Sequence, residues 1–159
     1  MAGIFIIAHA PLASALLAAA SHAFPEAAAE VLALDVQAEL PLAETEAQAR
    51  GMLERAIARA CEASGGQQAE VLILTDVFGA TPANLAQRLA EGGNVKVVTG
   101  VNVPMLWRSL NYAQEPLDTL VARALAGGAQ GVMQVATSRP QNQAYKPSAN
   151  DQEHHQHQQ

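Results

Sequence analysis

Two residues far apart in the chain, His9 and Asp76, could do chemistry together. A neutral imidazole nitrogen is a good nucleophile toward phosphorus. A carboxylate that accepts the other ring N–H fixes the tautomer, orients the ring and stabilises the charge the ring acquires. A phosphoryl group on such a ring also needs donors around it. Helix N-termini supply free N–H groups and a favourable dipole. The run Gly79-Ala80-Thr81-Pro82 reads as one, with Asn84 in its first turn. Gly79 lets the backbone approach closely, and Thr81 adds a hydroxyl. Taken singly, each residue also has an ordinary role: a satisfied polar histidine, an aspartate capping a turn, a Thr-Pro helix start, a solvent-facing asparagine.

The elements that must position these residues are legible as alternating strands and helices. Four short apolar runs rich in branched residues read as buried strands: Ile4–Ala8, Val31–Val36, Val71–Thr75 and Val95–Thr99. Gly131–Ala136 is a candidate fifth. Helical character is expected over Leu12–Phe24, Thr45–Ala63, Pro82–Ala90, Pro104–Ala113 and Pro116–Ala126, with Thr81 as an N-cap and Gly127-Gly128 as a stop. On the second of these helices Met52, Leu53, Ala56, Ile57, Ala60 and Cys61 form one apolar stripe. Such alternation implies right-handed crossovers and an open, doubly wound, mostly parallel α/β sheet. The expected order is 2-1-3-4 plus a C-terminal edge strand, with helices on both faces. In these folds chemistry collects beyond the carboxyl ends of the strands. His9, Asp76 and the Gly100–Pro104 loop all lie at strand carboxyl ends, so they converge on one crevice.

Composition excludes several classes. The chain has 159 residues, half of them hydrophobic, 15% charged, and a net charge of −6. One domain over residues 1–137 is expected. From residue 138 to 159 the chain is polar and poor in core formers, and disorder is expected there. No basic patch could neutralise several phosphates, so nucleic-acid binding is not expected. The single cysteine, Cys61, fits a reducing, cytoplasmic setting and reads as a small core residue. There is no basic n-region at the start and no membrane-spanning apolar run. His22 and the tail histidines His154, His155 and His157 compete poorly with His9, and no metal site is expected.

Three motifs together resemble a known family. They are Ile-Phe-Ile-Ile-Ala-His9, then Leu-Thr-Asp76-Val-Phe-Gly79-Ala-Thr81-Pro82-Ala-Asn84, then Val-Thr-Gly100-Val-Asn102-Val-Pro104-Met105. In order and spacing the chain is similar to the IIA component of mannose-type sugar phosphotransferase systems. The resemblance implies that His9 accepts a phosphoryl group from the phosphocarrier HPr and passes it to a separate IIB protein, with Asp76 holding the ring. It implies no cofactor, a homodimer with an exchangeable C-terminal strand, and membrane contact only through permease partners. Phe78, Asn102, Pro104, Met105 and Trp107 are candidate partner-docking residues.

The chain departs from the family pattern at Ala8-His9-Ala10 and at Gly79-Ala80-Thr81-Pro82, where Thr-His-Gly and Gly-Gly-Ser-Pro are common. Threonine keeps the hydroxyl, and Ala80 restricts the turn. Other readings stand beside this one: a regulatory phosphorylation sensor, a phosphotransferase subunit of a dihydroxyacetone kinase system, and a non-catalytic anion-binding module. A receiver domain phosphorylated on Asp76 lacks the acidic pair after the first strand. A dehydrogenase lacks glycines in the first βα turn.

Overall fold

The computed structural model describes residues 1–66 and 68–135. Four strands, β1 (Gly3–His9), β2 (Leu32–Val36), β3 (Val71–Thr75) and β4 (Val95–Thr99), form one sheet in the order β2-β1-β3-β4. Every pairing is parallel, with Phe5 opposite Leu32, Ile6 opposite Leu74 and Leu74 opposite Val98. The continuous apolar runs are explained by burial on both faces. Ile4, Ile6, Ala8, Leu72 and Leu74 pack into one core layer, and Phe5, Ile7, Val71 and Ile73 into the other.

Helices cover both layers. α1 (Leu12–Ala23), the short α2 (Pro25–Ala28), α5 (Val103–Asn111) and α6 (Leu117–Gln130) pack on the first. α3 (Leu42–Ala63) and α4 (Thr81–Leu89) pack on the second. On α3 the fully buried stripe is Thr45, Ala49, Leu53, Ala56 and Ala60, while Met52, Ile57 and Cys61 are only half-buried. The periodicity is therefore right but rotated slightly from the expected face.

Three expectations change. α6 does not stop at Gly127-Gly128; it runs to Gln130. Both glycines are buried against α5. A Cβ on Gly127 would lie 2.6 Å from Arg108 Cβ, and one on Gly128 would lie 2.7 Å from Met105 Cε. They serve close helix contact, not termination. Thr81 is not the N-cap of α4. Ala80 holds that position, with Thr81 and Pro82 as the first two helical residues. Finally, residues 131–135 carry no strand, and Val132, Met133 and Val135 are exposed. The helix takes up residues to Gln130, and residues 131–135 make no pairing with β4. Ala136, the 137/138 domain boundary and the tail histidines lie outside the described residues.

Candidate functional site

The parallel sheet brings the carboxyl ends of β1 and β3 side by side, and the site forms where each strand runs out. The last residue of β1 is His9, and the first residue after β3 is Asp76. Asp76 Oδ2 accepts the His9 backbone N–H at 2.9 Å and lies 2.6 Å from His9 Nδ1; Oδ1 accepts the Val77 N–H at 2.8 Å. The aspartate side chain is 7% exposed and the imidazole 53%. Burial by itself raises the Asp76 carboxyl. The His9 backbone N–H, then the His9 ring and the Val77 N–H, outweigh it and hold the group below the ordinary carboxylate range. An ionised carboxylate only accepts, so Nδ1 must carry the proton. In the neutral ring Nε2 then carries the lone pair.

The loops around this pair are tied together. The Gly100 N–H donates to the Asp76 carbonyl at 2.7 Å, and the Val101 N–H to the Thr75 carbonyl at 2.9 Å. Gly79 turns the Asp76 loop into α4 with φ +81°, a conformation that suits glycine. Asn84 Nδ2 donates to the Gly79 carbonyl at 3.2 Å, so its side chain braces this turn. The Ala80 N–H is used by the Val77 carbonyl at 3.2 Å. Pro82 has no N–H. Among the described residues the Thr81 and Ala83 amides have no partner, and they remain as the donors at the α4 N-terminus. Thr81 is exposed and lines the same groove as His9.

That groove, of about 380 Å³, has a wall the sequence reading missed. Gln37, Leu40, Leu42 and Thr45 complete it, from the segment after β2 and the first turn of α3. Leu40 and Leu42 are exposed. The available signal was two leucines flanking Pro41 in an otherwise loop-like stretch beyond a strand end.

The candidate docking residues separate. Phe78, 74% exposed, stands beside Asp76 with exposed Val77. Trp107, 38% exposed, meets the Phe24 ring edge-to-face at 5.7 Å on the α1–α5 side. Met105 is only 4% exposed and belongs to the core. Asn102 caps α5, its Oδ1 accepting the Met105 N–H at 2.9 Å and its Nδ2 donating to the Gly128 carbonyl at 3.2 Å. Half-buried Pro104 packs against Gly131. Met105, Asn102 and Pro104 thus hold α5 and α6 together. Among the described residues no three His, Cys, Asp or Glu side chains group to hold a metal ion, and no helix is long and apolar enough to cross a membrane.

An open, parallel, doubly wound domain with a carboxylate-oriented histidine at its carboxyl edge defines the class of this protein. A family model described as EIIA-man, the PTS system fructose IIA component, matches residues 3–125, and the chain belongs to that family of the sugar phosphotransferase systems. The fold is shared with solved structures. The mannose/sorbose-specific IIA subunit from Enterococcus faecalis superposes with a TM-score of 0.73 at 23% identity, covering 87% of this chain and 97% of that one. Phosphotransferase system component EIIA from Streptococcus agalactiae gives 0.67 at 24% identity, covering 84% and 97%. The PTS IIA protein associated with the fucose utilization operon of Streptococcus pneumoniae gives 0.56 at 24%, covering 79% and 93%. A comparison with curated proteins gives no match.

Proposed function

We propose that this chain is a cytoplasmic phosphocarrier: His9 accepts a phosphoryl group from phosphorylated HPr and passes it to a separate IIB protein. The observation that carries this reading is the 2.6 Å contact from Asp76 Oδ2 to His9 Nδ1, which leaves Nε2 of the exposed ring as the nucleophile. The Nε2 lone pair attacks phosphorus and forms an N–P bond. The donor's N–P bond breaks, and its electron pair returns to the donor nitrogen. The His9 ring becomes positive as this happens, and the Asp76 carboxylate offsets that charge across a short, charge-assisted hydrogen bond. The free Thr81 and Ala83 amides and the Thr81 hydroxyl are the donors for the phosphoryl oxygens. Transfer to IIB is the same step in reverse, from His9 to the acceptor. The chain itself consumes no cofactor.

Exposed Leu40 and Leu42, which line the His9 groove, and exposed Val77 and Phe78, which follow Asp76 in the chain, are the apolar surface on which donor and acceptor dock. A homodimer has a place to form as well. The outer edge of β4 borders a groove lined by Phe78, Val97, Val121 and exposed Leu125. The Val132–Val135 segment of a second chain, apolar and unpaired in this one, is the strand for that edge.

The test is phosphoryl transfer from phosphoenolpyruvate through enzyme I and HPr, with wild type beside His9→Ala. Acid-labile, base-stable label on wild type alone is the expected result. Equal labelling of both proteins would overturn the assignment. So would no label on wild type while HPr itself is labelled.

A further inference from the structure

The sheet has a second end, and it is not solidly packed. At the amino end of β1, opposite His9, a cavity of about 250 Å³ opens beside α2 and the last turns of α3. Its floor is apolar and buried: Ile4, Val31, Ala56, Ala60, Leu110 and Ala113. Side-chain size explains the void. Gly3 lets α3 pass close to β1, since a Cβ there would lie 3.1 Å from the Ala56 carbonyl oxygen and 3.6 Å from Ala60 Cβ. Ala56 and Ala60 on α3 and Ala113 opposite are short, so that part of the floor is not filled by side chains. Interiors rarely leave voids larger than a water molecule. An apolar cavity of about 150 Å³ is enough to take up benzene. Here there is room for an apolar group and a short polar head.

The rim carries both signs of charge. Glu26 and Glu30 border the cavity from the α2 side, and Arg59 borders it from α3. None of the three makes an ion pair among the described residues. The hydrogen bond of Arg59 is a long one, 3.5 Å, to the Ala29 carbonyl. An apolar pocket with a few convergent polar groups is the usual form of a small-molecule site.

We propose that this cavity binds a small zwitterion with an apolar side chain, an α-amino acid of the leucine or phenylalanine type. The side chain fills the alanine-lined floor. The ammonium meets Glu26 and Glu30, and the carboxylate meets the Arg59 guanidinium, whose planar fork matches it. An apolar amine leaves Arg59 unanswered, and an apolar acid leaves both glutamates unanswered. The ligand would sit at the far end of the strand that carries His9, so this proposal does not rest on the phosphocarrier reading.

The experiment titrates the full chain with L-leucine and L-phenylalanine and follows backbone amide NMR shifts. Isopentylamine, 4-methylpentanoate and glycine serve as controls. Saturable one-to-one shifts around Gly3, Ala27, Ala60 and Ala113 are expected for the two amino acids, with much weaker binding of all three controls. Arg59→Gln should weaken binding about tenfold, the scale of one charge-assisted hydrogen bond at a wet rim. Ala27→Leu, on an exposed mouth residue, should block entry while leaving the ligand-free spectrum folded. Absence of shifts at millimolar ligand overturns the proposal. Equal affinity for amine, acid and amino acid overturns it too, as does binding indifferent to Arg59→Gln. Labelling of His9 plays no part in this readout, so the two proposals fail separately.

Discussion

Replacing Asp76 by Asn tests the orienting role at the smallest change in shape. Three N–H groups point at the carboxylate: His9 N and Nδ1 on Oδ2, and Val77 N on Oδ1. An amide has one acceptor and one donor end, so it cannot satisfy all three. With its oxygen toward His9, the ring keeps its tautomer but the amide nitrogen confronts the Val77 N–H. With its nitrogen toward His9, it confronts the His9 backbone N–H and forces Nδ1 to accept, which puts the ring proton on Nε2 and removes the nucleophile. Even the better orientation exchanges a hydrogen bond to a charged group, worth about 1.5–3 kcal/mol, for a neutral one of about 0.5–1.5. The loss of about 1–2 kcal/mol falls on the transition state, where the ring is gaining charge, and slows transfer by about 5- to 30-fold. Any population of the second orientation slows it further. The assay is single-turnover phosphorylation of Asp76→Asn by labelled HPr, with circular dichroism to confirm the fold. A rate indistinguishable from wild type would show that Asp76 does not orient the nucleophile.

The same carboxylate makes stability depend on pH. Its folded pKa lies below the ordinary 3.8, so its contribution is present above 3.8 and lost as pH falls through the lower folded value. Urea denaturation should therefore show the gap between wild type and Asp76→Asn closing in acid; a gap constant with pH would contradict this. Gly79→Ala should cost about 1 kcal/mol from left-handed backbone strain alone, because φ is +81° and nothing lies within 4 Å of the new Cβ. A larger loss by urea denaturation would mean the turn had collapsed. Thr75 Oγ1 is buried with no partner among the described residues, so Thr75→Val should be neutral or stabilising by up to about 1 kcal/mol in thermal melts. Clear destabilisation would reveal a partner for the hydroxyl. For the proposed homodimer, Leu125→Glu, in the groove beside β4, should shift sedimentation from dimer to monomer; a dimer unchanged by it would place the interface elsewhere, and a monomeric wild type would overturn the dimer.

The central strands β1 and β3 were legible because a strand buried on both faces has no polar alternation to obscure it. Val71–Thr75 and Val95–Thr99 match the sequence reading residue for residue. Helix ends were less legible because they depend on partners distant in sequence. Gly127-Gly128 is a strong local stop signal, yet the contact with Arg108 and Met105 keeps both residues helical. At the site, His9 and Asp76 could be paired by reasoning about strand ends. The work of Asn84 Nδ2 and Asn102 Nδ2 could not: each donates to a carbonyl whose position only the folded chain defines. The Leu40–Leu42 wall was hidden for a similar reason, since the start of α3 at Leu42 follows Pro41 without a side-chain cap.

The geometry also decides which variant isolates the chemistry. Oδ2 of Asp76 accepts the main-chain N–H of His9 as well as the ring, so the carboxylate is bound to the end of β1 and not only to the imidazole. The backbone N–H and the ring both lower its pKa against the raising effect of burial. His9→Ala removes one of three hydrogen bonds and leaves the Asp76 carboxyl with the main-chain N–H groups of residues 9 and 77. The exposed imidazole fills no core space, so its loss opens no cavity. Asp76→Ala instead takes the partner from two partly buried backbone N–H groups, those of residues 9 and 77. The two substitutions remove partners in one contact, but only His9→Ala deletes the nucleophile from an otherwise intact site. Loss of labelling there reports on chemistry, whereas loss of labelling in Asp76→Ala mixes chemistry with folding.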